Sequence, residues 1–188
     1  MTGDESVQRM EFMLTLRRRG IADQAMPIAC GQTISQPYIV AYMTEQLQVR
    51  GNHRVLEVGT GSGYQAAVLS RLAREVISIE RYRTLADAAR TRLKTLDYNN
   101  VEVVTGDGFA GEPGRAPYDR IIVTAAAESI PQALIDQLAE GGVLILPLGQ
   151  HDGPQRIVKL TRGKDGMSQQ ELIAVRFVPL LPGQAREL

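Results

Sequence analysis

The chain of 188 residues lacks tryptophan and has one cysteine, Cys30, and two histidines, His53 and His151. A single cysteine excludes an internal disulfide, and this scarcity is typical of proteins kept in a reducing cytoplasm. We interpret Cys30 as a small packing residue rather than as a reactive thiol. Because the sequence has no spaced cysteines and few histidines, it predicts no metal site.

A net charge and long apolar runs are also missing. Lys and Arg together number 21, as do Asp and Glu, so we expect neither nucleic acid nor an anionic membrane surface as a partner. The longest apolar stretches, such as residues 143–146, are far too short to cross a bilayer. Asp4 and Glu5 precede an amphipathic pattern, which argues against a signal peptide and for a cytoplasmic protein.

The most informative positive feature is the stretch 55–64, which has the pattern of a strand, a glycine loop and a helix start. The apolar run at 55–58 is typical of a buried parallel strand. Glycines then occupy every second position from Gly59 to Gly63, which lets the backbone turn sharply and approach a ligand closely. A loop of this kind at the carboxyl end of a strand is where open α/β sheets bind nucleotide-like cofactors.

Spacing around this loop distinguishes between cofactors. The dinucleotide pattern G-x-G-x-x-G needs a glycine where this chain has Tyr64. Glu80, at the end of a second apolar run, can accept hydrogen bonds from both hydroxyls of a ribose. Asp107 follows a third strand and is placed to meet an adenine amino group. Together these markers favour S-adenosylmethionine over NAD, while each alone also fits a structural role in a turn or at a helix start.

Alternating strand and helix patterns predict a Rossmann-like α/β fold, with a mostly parallel sheet, helices on both faces and a C-terminal antiparallel element. We expect a single domain with an N-terminal helix and active-site segment (1–36), a Rossmann-like core (37–149) and a C-terminal β extension (150–188). The predicted helices cover residues 6–19, 37–49, 64–74, 82–96 and 131–139. The predicted strands cover 54–58, 76–79, 101–105, 119–124 and 142–147, with hairpin strands at 156–160 and 172–178.

The segment 31–37 concentrates hydrogen-bonding side chains just before a predicted helix. Ser35 fits a helix N-cap and Pro37 a first-turn residue, which is a sufficient structural explanation. In the alternative interpretation, the segment lies across the cofactor pocket and Ser35 is directed at an acceptor carboxylate. A third stretch, 124–127, ends a strand with small residues, which either leave room for a ligand or allow close helix packing.

Seven motifs make the chain similar to the protein-L-isoaspartate O-methyltransferases, the repair enzymes for isomerised aspartate. They are PIACGQTISQPYIVAYMTEQL, RVLEVGTGSGYQAAVLSRL, VISIER, NVEVVTGDGF, YDRIIVTAAAESIP, LAEGGVLILPLG and VRFVPLLPG, and they span about residues 26–182. Many methyltransferases share the glycine motif, whereas the QTISQP segment at 32–37 is far more specific to this family.

The resemblance implies a role for each matching position. Ser35 corresponds to the designated active-site residue of the family, and Thr33 stands beside it in the catalytic segment. The positions expected to hold S-adenosylmethionine, or its product S-adenosylhomocysteine, are Ile34, Glu57, Gly59, Thr60, Gly61, Gly63, Glu80, Asp107 and Gly108. The positions expected to border the substrate are Gln36, Val178, Pro179 and Leu180. The implied partners are isoaspartyl-containing proteins and peptides, and we expect a monomer.

One departure from the family pattern lies near the N-terminus. Family members generally carry a helical segment with a VPR…F signature before the GQTIS stretch, whereas here Gln24 runs directly into Ala25. Either this segment is deleted or residues are missing from the sequence, and a true deletion would affect the cover of the active site. The main alternative is a homologue that binds S-adenosylmethionine without methylating isoaspartate. Tyr64 disfavours a nicotinamide-dependent oxidoreductase, and the QTIS motif disfavours a methyltransferase of small molecules.

Overall fold

The computed structural model describes residues 26–27, 33–34 and 36–186. Within them the strands are β1 (Met26–Pro27), β2 (Thr33–Ile34), β3 (Arg54–Val58), β4 (Glu75–Glu80), β5 (Val101–Thr105), β6 (Tyr118–Val123), β7 (Leu138–Gly149), β8 (Gln155–Gly163) and β9 (Gly166–Val175). The helices are α1 (Pro37–Leu47), α2 (Tyr64–Ser70), α3 (Arg83–Thr95) and α4 (Gln132–Asp136), with a 3-10 helix at Pro113–Arg115. None of these helices is long and apolar enough to cross a membrane.

A seven-stranded sheet in the order β5-β4-β3-β6-β7-β8-β9 forms the centre of the fold. β3 pairs in parallel with β4 and β6, β4 pairs in parallel with β5, and β6 with β7. β7 then pairs antiparallel with β8, and β8 pairs antiparallel with β9. The predicted combination of a parallel sheet and a C-terminal antiparallel element is therefore confirmed. β1 and β2 form a separate antiparallel pair.

Alternation along the central strands divides the apolar core between the two faces of the sheet. One face includes Leu56 of β3 and packs against Leu134 of α4. The other face includes Val55 of β3 and packs against α1 and α2 through Leu47 and Leu69. α3 packs on this second side, against α2 and β5. Helices therefore cover both faces, and the carboxyl edge of the parallel strands stays accessible between them.

The strand order creates a topological switch between β3 and β6. From β3 the chain builds β4 and β5 on one side, and it then returns to form β6 on the other side. Loops that leave two neighbouring strands in opposite directions open a crevice at the carboxyl ends of those strands, where ligands bind in open α/β sheets. The glycine loop follows β3 and the small residues 124–127 follow β6, so both stretches lie at this switch.

Most predicted elements are confirmed, and the strands at 54–58 and 101–105 coincide with β3 and β5. The helix predicted over 64–74 ends at Ser70, because the short connection to β4 begins there. The helix predicted over 6–19 lies outside the described residues.

Two predictions in the C-terminal half were wrong. The helix predicted over 131–139 is limited to α4, because β7 already begins at Leu138. The second hairpin strand, predicted over 172–178, begins at Gly166 and ends at Val175. β9 is the edge strand, and its first six residues are exposed. Since neither face of that segment is buried, its sequence lacks the apolar alternation that would have indicated a strand.

Candidate active site

A cleft opens at the carboxyl edge of the parallel strands, at the switch between β3 and β6. Its volume is about 620 Å³ when the part that is open to solvent is included. Its walls come from the ends of β3 and β4, the turns after β5 and β6, and the C-terminal segment 178–181. The predicted site residues that line it are Gly59, Gly61, Glu80, Gly108, Val178, Pro179 and Leu180. The structure thus brings together residues separated by up to about 120 positions in the chain.

The glycine loop is fixed to β4 and β6 by hydrogen bonds. The carbonyl oxygen of Ile79 accepts from the amides of Gly59 (2.8 Å) and Thr60 (3.2 Å). The hydroxyl of Thr124 donates to the carbonyl of Gly59 (2.6 Å). Gly59 has a φ of +98°, and a Cβ added there would lie 2.3 Å from the hydroxyl oxygen of Thr124. A side chain at position 59 is therefore excluded both by the backbone conformation and by the lack of space.

Glu80 ends β4 and presents its carboxylate to the cleft. One carboxylate oxygen accepts the amide hydrogen of Gly61 (2.8 Å), and the other accepts that of Tyr82 (3.1 Å). The two backbone donors fix the orientation of the group and support its negative charge. Because each carboxylate oxygen can accept a further hydrogen bond, Glu80 can still receive two hydroxyls of a ligand.

Glu57 lies beneath the glycine loop rather than on the cleft surface. It is fully buried, and its Oε2 accepts from the hydroxyl of Ser78 (2.5 Å). The Ser78 hydroxyl is also 2.6 Å from that of Thr60. Oε1 has no hydrogen-bond partner among the described residues. Burial, assisted by the negative charge of Glu80 and opposed by the Ser78 hydrogen bond, raises the pKa of Glu57 to about 8.

The turn after β5 forms the opposite wall of the cleft. Asp107 accepts the amide hydrogen of Phe109 (2.9 Å) through Oδ1, which stabilises the turn. Gly108 lines the cleft, and a Cβ added there would lie 2.4 Å from Cγ1 of Val58 and 3.3 Å from Cδ1 of Leu180. Glycine at position 108 therefore allows this turn to approach β3 and the C-terminal segment closely.

The C-terminal segment 178–186 crosses the carboxyl edge of the sheet. The amide of Ala126 donates to the carbonyl of Val178 (2.8 Å), and the amide of Leu180 donates to the carbonyl of Ala126 (2.7 Å). Further along, Ala185 forms a parallel bridge with Tyr82. These contacts hold Val178 and Leu180 against the cleft. The family resemblance implies that they border the substrate, which stays a prediction.

The described lining of the cleft does not include the predicted residues Gln36, Glu57, Thr60, Gly63 and Asp107. Gly63 precedes α2, and a Cβ added there would lie 3.3 Å from Leu93 of α3. Thr33 and Ile34 form β2, which pairs with β1. Gln36 is exposed immediately before α1, and Ser35 lies outside the described residues. The predicted placement of Ser35 against a substrate carboxylate therefore stays a prediction.

Seven residues that line the cleft were not among the predicted site residues: Val58, Ile79, Arg81, Tyr82, Thr124, Ala125 and Leu181. Thr124 lies in the stretch of small residues that we had noted for its size alone, and its hydroxyl ties the glycine loop to β6. The position of Tyr82, two residues after Glu80 and at the same strand end, is a signal that could have identified it. Leu181 became recognisable only after the path of the C-terminal segment was known.

Comparisons with known proteins agree with this geometry. The family model described as protein-L-isoaspartate(D-aspartate) O-methyltransferase matches residues 3–185. A protein-L-isoaspartate O-methyltransferase of Bradyrhizobium sp. (strain BTAi1) is 54% identical over 208 residues, which cover 96% of this chain and 97% of that protein. One of Parvibaculum lavamentivorans is 58% identical over 186 residues, which cover 97% of this chain and 84% of that protein.

The Bradyrhizobium alignment also bears on the departure noted near the N-terminus. Its 208 aligned positions exceed the 188 residues of this chain, so it contains positions that this chain lacks. The junction of Gln24 and Ala25, where we expected a missing segment, lies outside the described residues.

A solved structure extends the comparison to the fold and the cofactor. A Plasmodium falciparum protein, described as a protein-L-isoaspartate O-methyltransferase in complex with S-adenosyl-L-homocysteine, matches with a TM-score of 0.75 at 26% sequence identity. The match covers 91% of this chain and 97% of that one. From the family match, the relatives and this shared architecture, we conclude that the chain belongs to the protein-L-isoaspartate(D-aspartate) O-methyltransferase family.

Proposed function

We propose that this protein transfers a methyl group from S-adenosylmethionine to the free α-carboxylate of L-isoaspartyl residues in damaged proteins and peptides. The observation that carries the proposal is the family match over residues 3–185. The cleft supports it, because Glu80 is hydrogen-bonded there to the glycine loop. The whole chain then serves as one methyltransferase domain. We further propose that it works in the cytoplasm as a monomer, without nucleic acid or membrane as a partner.

The chemistry of the cleft fits S-adenosylmethionine. Glu80 has hydrogen-bonding capacity left for the two ribose hydroxyls. Gly59 and Gly61 border the cleft without side chains, which leaves room for the methionine part of the cofactor. Asp107 and Gly108, on the turn after β5, would face adenine. When bound, the cofactor supplies an electrophilic methyl group on a positively charged sulfur.

The reaction places modest chemical demands on the protein. An α-carboxyl has a pKa of about 3.3–3.7 and is ionised at neutral pH, so the nucleophile requires no general base. The protein then has to hold two reactants in line, which can contribute about 7–11 kcal/mol. Ser35 would orient the acceptor carboxylate by donating a hydrogen bond, and Val178 and Leu180 would help to exclude water. The methyl ester that forms cyclises spontaneously to a succinimide, because a backbone amide nitrogen attacks the ester carbonyl and methanol leaves. Hydrolysis of the succinimide returns some normal aspartate.

The experiment that tests the proposal measures the transfer of labelled methyl groups to a synthetic peptide containing L-isoaspartate. The same peptide with normal aspartate serves as the substrate control. We expect label in the isoaspartyl peptide alone. If the protein binds S-adenosylmethionine but labels neither peptide, the repair function is refuted and a homologue without catalysis is favoured.

A pair of serine variants tests the role of Ser35. Ser35→Ala should reduce turnover about a hundredfold through loss of substrate positioning, with cofactor affinity unchanged. Ser168→Ala is the matched control, because Ser168 is exposed on the edge strand β9. Normal turnover of Ser35→Ala would remove Ser35 from the mechanism.

A further inference from the structure

The carboxyl group of Glu57 is buried and ionisable, and it has no role in the methyl transfer described above. It is 0% exposed and lies on the sheet face that α1 and α2 cover. The register of the sheet places Ser78 of β4 on one side of Glu57 and Ile122 of β6 on the other. Oε2 is hydrogen-bonded to Ser78, and Oε1 has no partner among the described residues. A carboxylate with a single donor in such a place is poorly stabilised.

Two hydroxyl groups connect this carboxyl to the wall of the cleft. Oε2 of Glu57 is 2.5 Å from the hydroxyl of Ser78, which is 2.6 Å from the hydroxyl of Thr60. Thr60 stands between Gly59 and Gly61, both of which line the cleft. An ionised Glu57 accepts from Ser78, which in turn accepts from Thr60. A protonated Glu57 can donate to Ser78, and the direction of both hydrogen bonds then reverses.

Among the residues that the structure describes, one charge acts on Glu57, the carboxylate of Glu80 in the cleft. The buried polar side chains of α1 and α2 are neutral: the amide of Gln65 donates to the hydroxyl of Thr44 (2.9 Å), and the hydroxyl of Ser70 donates to a backbone carbonyl of its own helix. Tyr64 of α2 carries a hydroxyl whose pKa is raised by burial, so it is uncharged at neutral pH. The buried residues of α3 are apolar. The charge in the cleft is therefore the main variable electrostatic influence on Glu57.

We infer that Glu57 responds to the charge of the ligand in the cleft: it is protonated beside the neutral thioether product and ionised beside the sulfonium cofactor. The inference rests on the proposed function, since it takes S-adenosylmethionine and S-adenosylhomocysteine as the two ligands. A positive charge in the cleft opposes the field of Glu80, so it favours the ionised form of Glu57 and releases a proton to the solvent. When the methyl group has left, the positive charge is gone and Glu57 takes up a proton from the solvent.

The consequence is a preference for substrate over product. Because the pKa of Glu57 lies near 8, a fall of one unit on binding the cation alters its protonation within the physiological range. By linkage, the affinity for the cationic ligand then rises with pH up to about tenfold, while that for the neutral ligand stays level. Glu57 is in this sense a specificity-determining residue that acts through the field in the cleft without touching the ligand.

Isothermal titration calorimetry in two buffers with different ionisation enthalpies measures the protons released on binding. For the wild-type protein at pH 7.5, a one-unit fall in the pKa of Glu57 corresponds to about half a proton released on binding S-adenosylmethionine. We expect S-adenosylhomocysteine to release close to none from Glu57. Both ligands carry an α-amino group that titrates in the same range, so the release measured with Glu57→Gln is subtracted.

Glu45→Gln is the matched control, because Glu45 is exposed on α1. It should release protons as the wild type does. Equal proton release by the wild type and Glu57→Gln, or an equal contribution of Glu57 with both ligands, would overturn the inference and leave the proposed function intact. Failure of both ligands to bind would overturn the proposed function and the inference together.

A second measurement needs only the wild-type protein. The ratio of the affinities for S-adenosylmethionine and S-adenosylhomocysteine should rise roughly tenfold between pH 6 and pH 9, after correction for the ionisation of the free ligands. A ratio that is constant over this range would overturn the inference, even if Glu57→Gln did not fold.

Discussion

Replacing the carboxyl group of Glu57 with an amide should change how the stability of the ligand-free protein depends on pH. Burial raises the pKa of Glu57 from 4.5 to about 8 in the folded state. Between these values the folded protein holds a proton that the unfolded chain has released. The free energy of unfolding therefore falls as pH rises through this window, and the contribution of Glu57 becomes constant above pH 8.

The size of the effect follows from the two pKa values. At about 1.4 kcal/mol for each pH unit, the window from 4.5 to about 8 corresponds to about 5 kcal/mol in total. Between pH 6 and pH 8, where most proteins are stable enough to measure, the expected loss is about 2 kcal/mol. Glu57→Gln has the same shape and no titrating proton, so it should not show this loss. Its amide can also donate a hydrogen bond to Ser78.

The assay is urea unfolding of the wild type, Glu57→Gln and the control Glu45→Gln at pH 6, 7 and 8. Other groups also contribute to the pH dependence, among them His53, whose pKa is lowered mainly by burial. Their contributions are common to all three proteins and cancel in the difference. A wild-type minus Glu57→Gln difference that varies by less than about 0.5 kcal/mol over this range would refute a protonated Glu57.

Two further predictions concern the walls of the cleft. Glu80→Gln should lower the affinity for S-adenosylmethionine at least about tenfold, because two hydrogen bonds to a charged acceptor are weakened. Calorimetry measures this affinity, and an unchanged value would refute the contact of Glu80 with the ribose. Gly59→Ala should lower the free energy of unfolding by about 1–3 kcal/mol through strain at positive φ, together with the clash against Thr124. Urea unfolding should show partial recovery in the double variant with Thr124→Ala, and no recovery would mean that strain alone is responsible.

The part of the site that could be predicted from the sequence depends on local pattern and on one rule of topology. The strand, glycine loop and helix start at 55–64 are encoded in consecutive residues. Glu80 and Asp107 each follow an apolar run, and the carboxyl ends of parallel strands meet at one edge of a sheet. The structure confirms that edge, and it places Glu80 and Gly108 in the same cleft as Gly59.

The part that could not be predicted depends on register and on long-range contacts. The hydrogen bonds from Thr60 through Ser78 to Glu57 exist because β3 and β4 pair in a register that places Glu57 beside Ser78. Residues 21 positions apart carry no local signal of this pairing. The segment 178–186 crosses the carboxyl edge because it pairs with Ala126. No periodic pattern in the sequence predicts this pairing.

The two glutamates of the cleft region, Glu57 and Glu80, have different roles although they lie within 24 positions of the chain. Glu80 receives two backbone donors and faces the cleft, so its charge is supported and available to a ligand. Glu57 receives one hydroxyl donor and is fully buried, so its charge is disfavoured in the absence of a cation. A negative charge at Glu80 alone attracts a cation and accepts hydroxyls. A second charge at Glu57, which the cation favours, adds to that attraction and is disfavoured again once the methyl group has left. The pair therefore retains the methyl donor more tightly than the demethylated product.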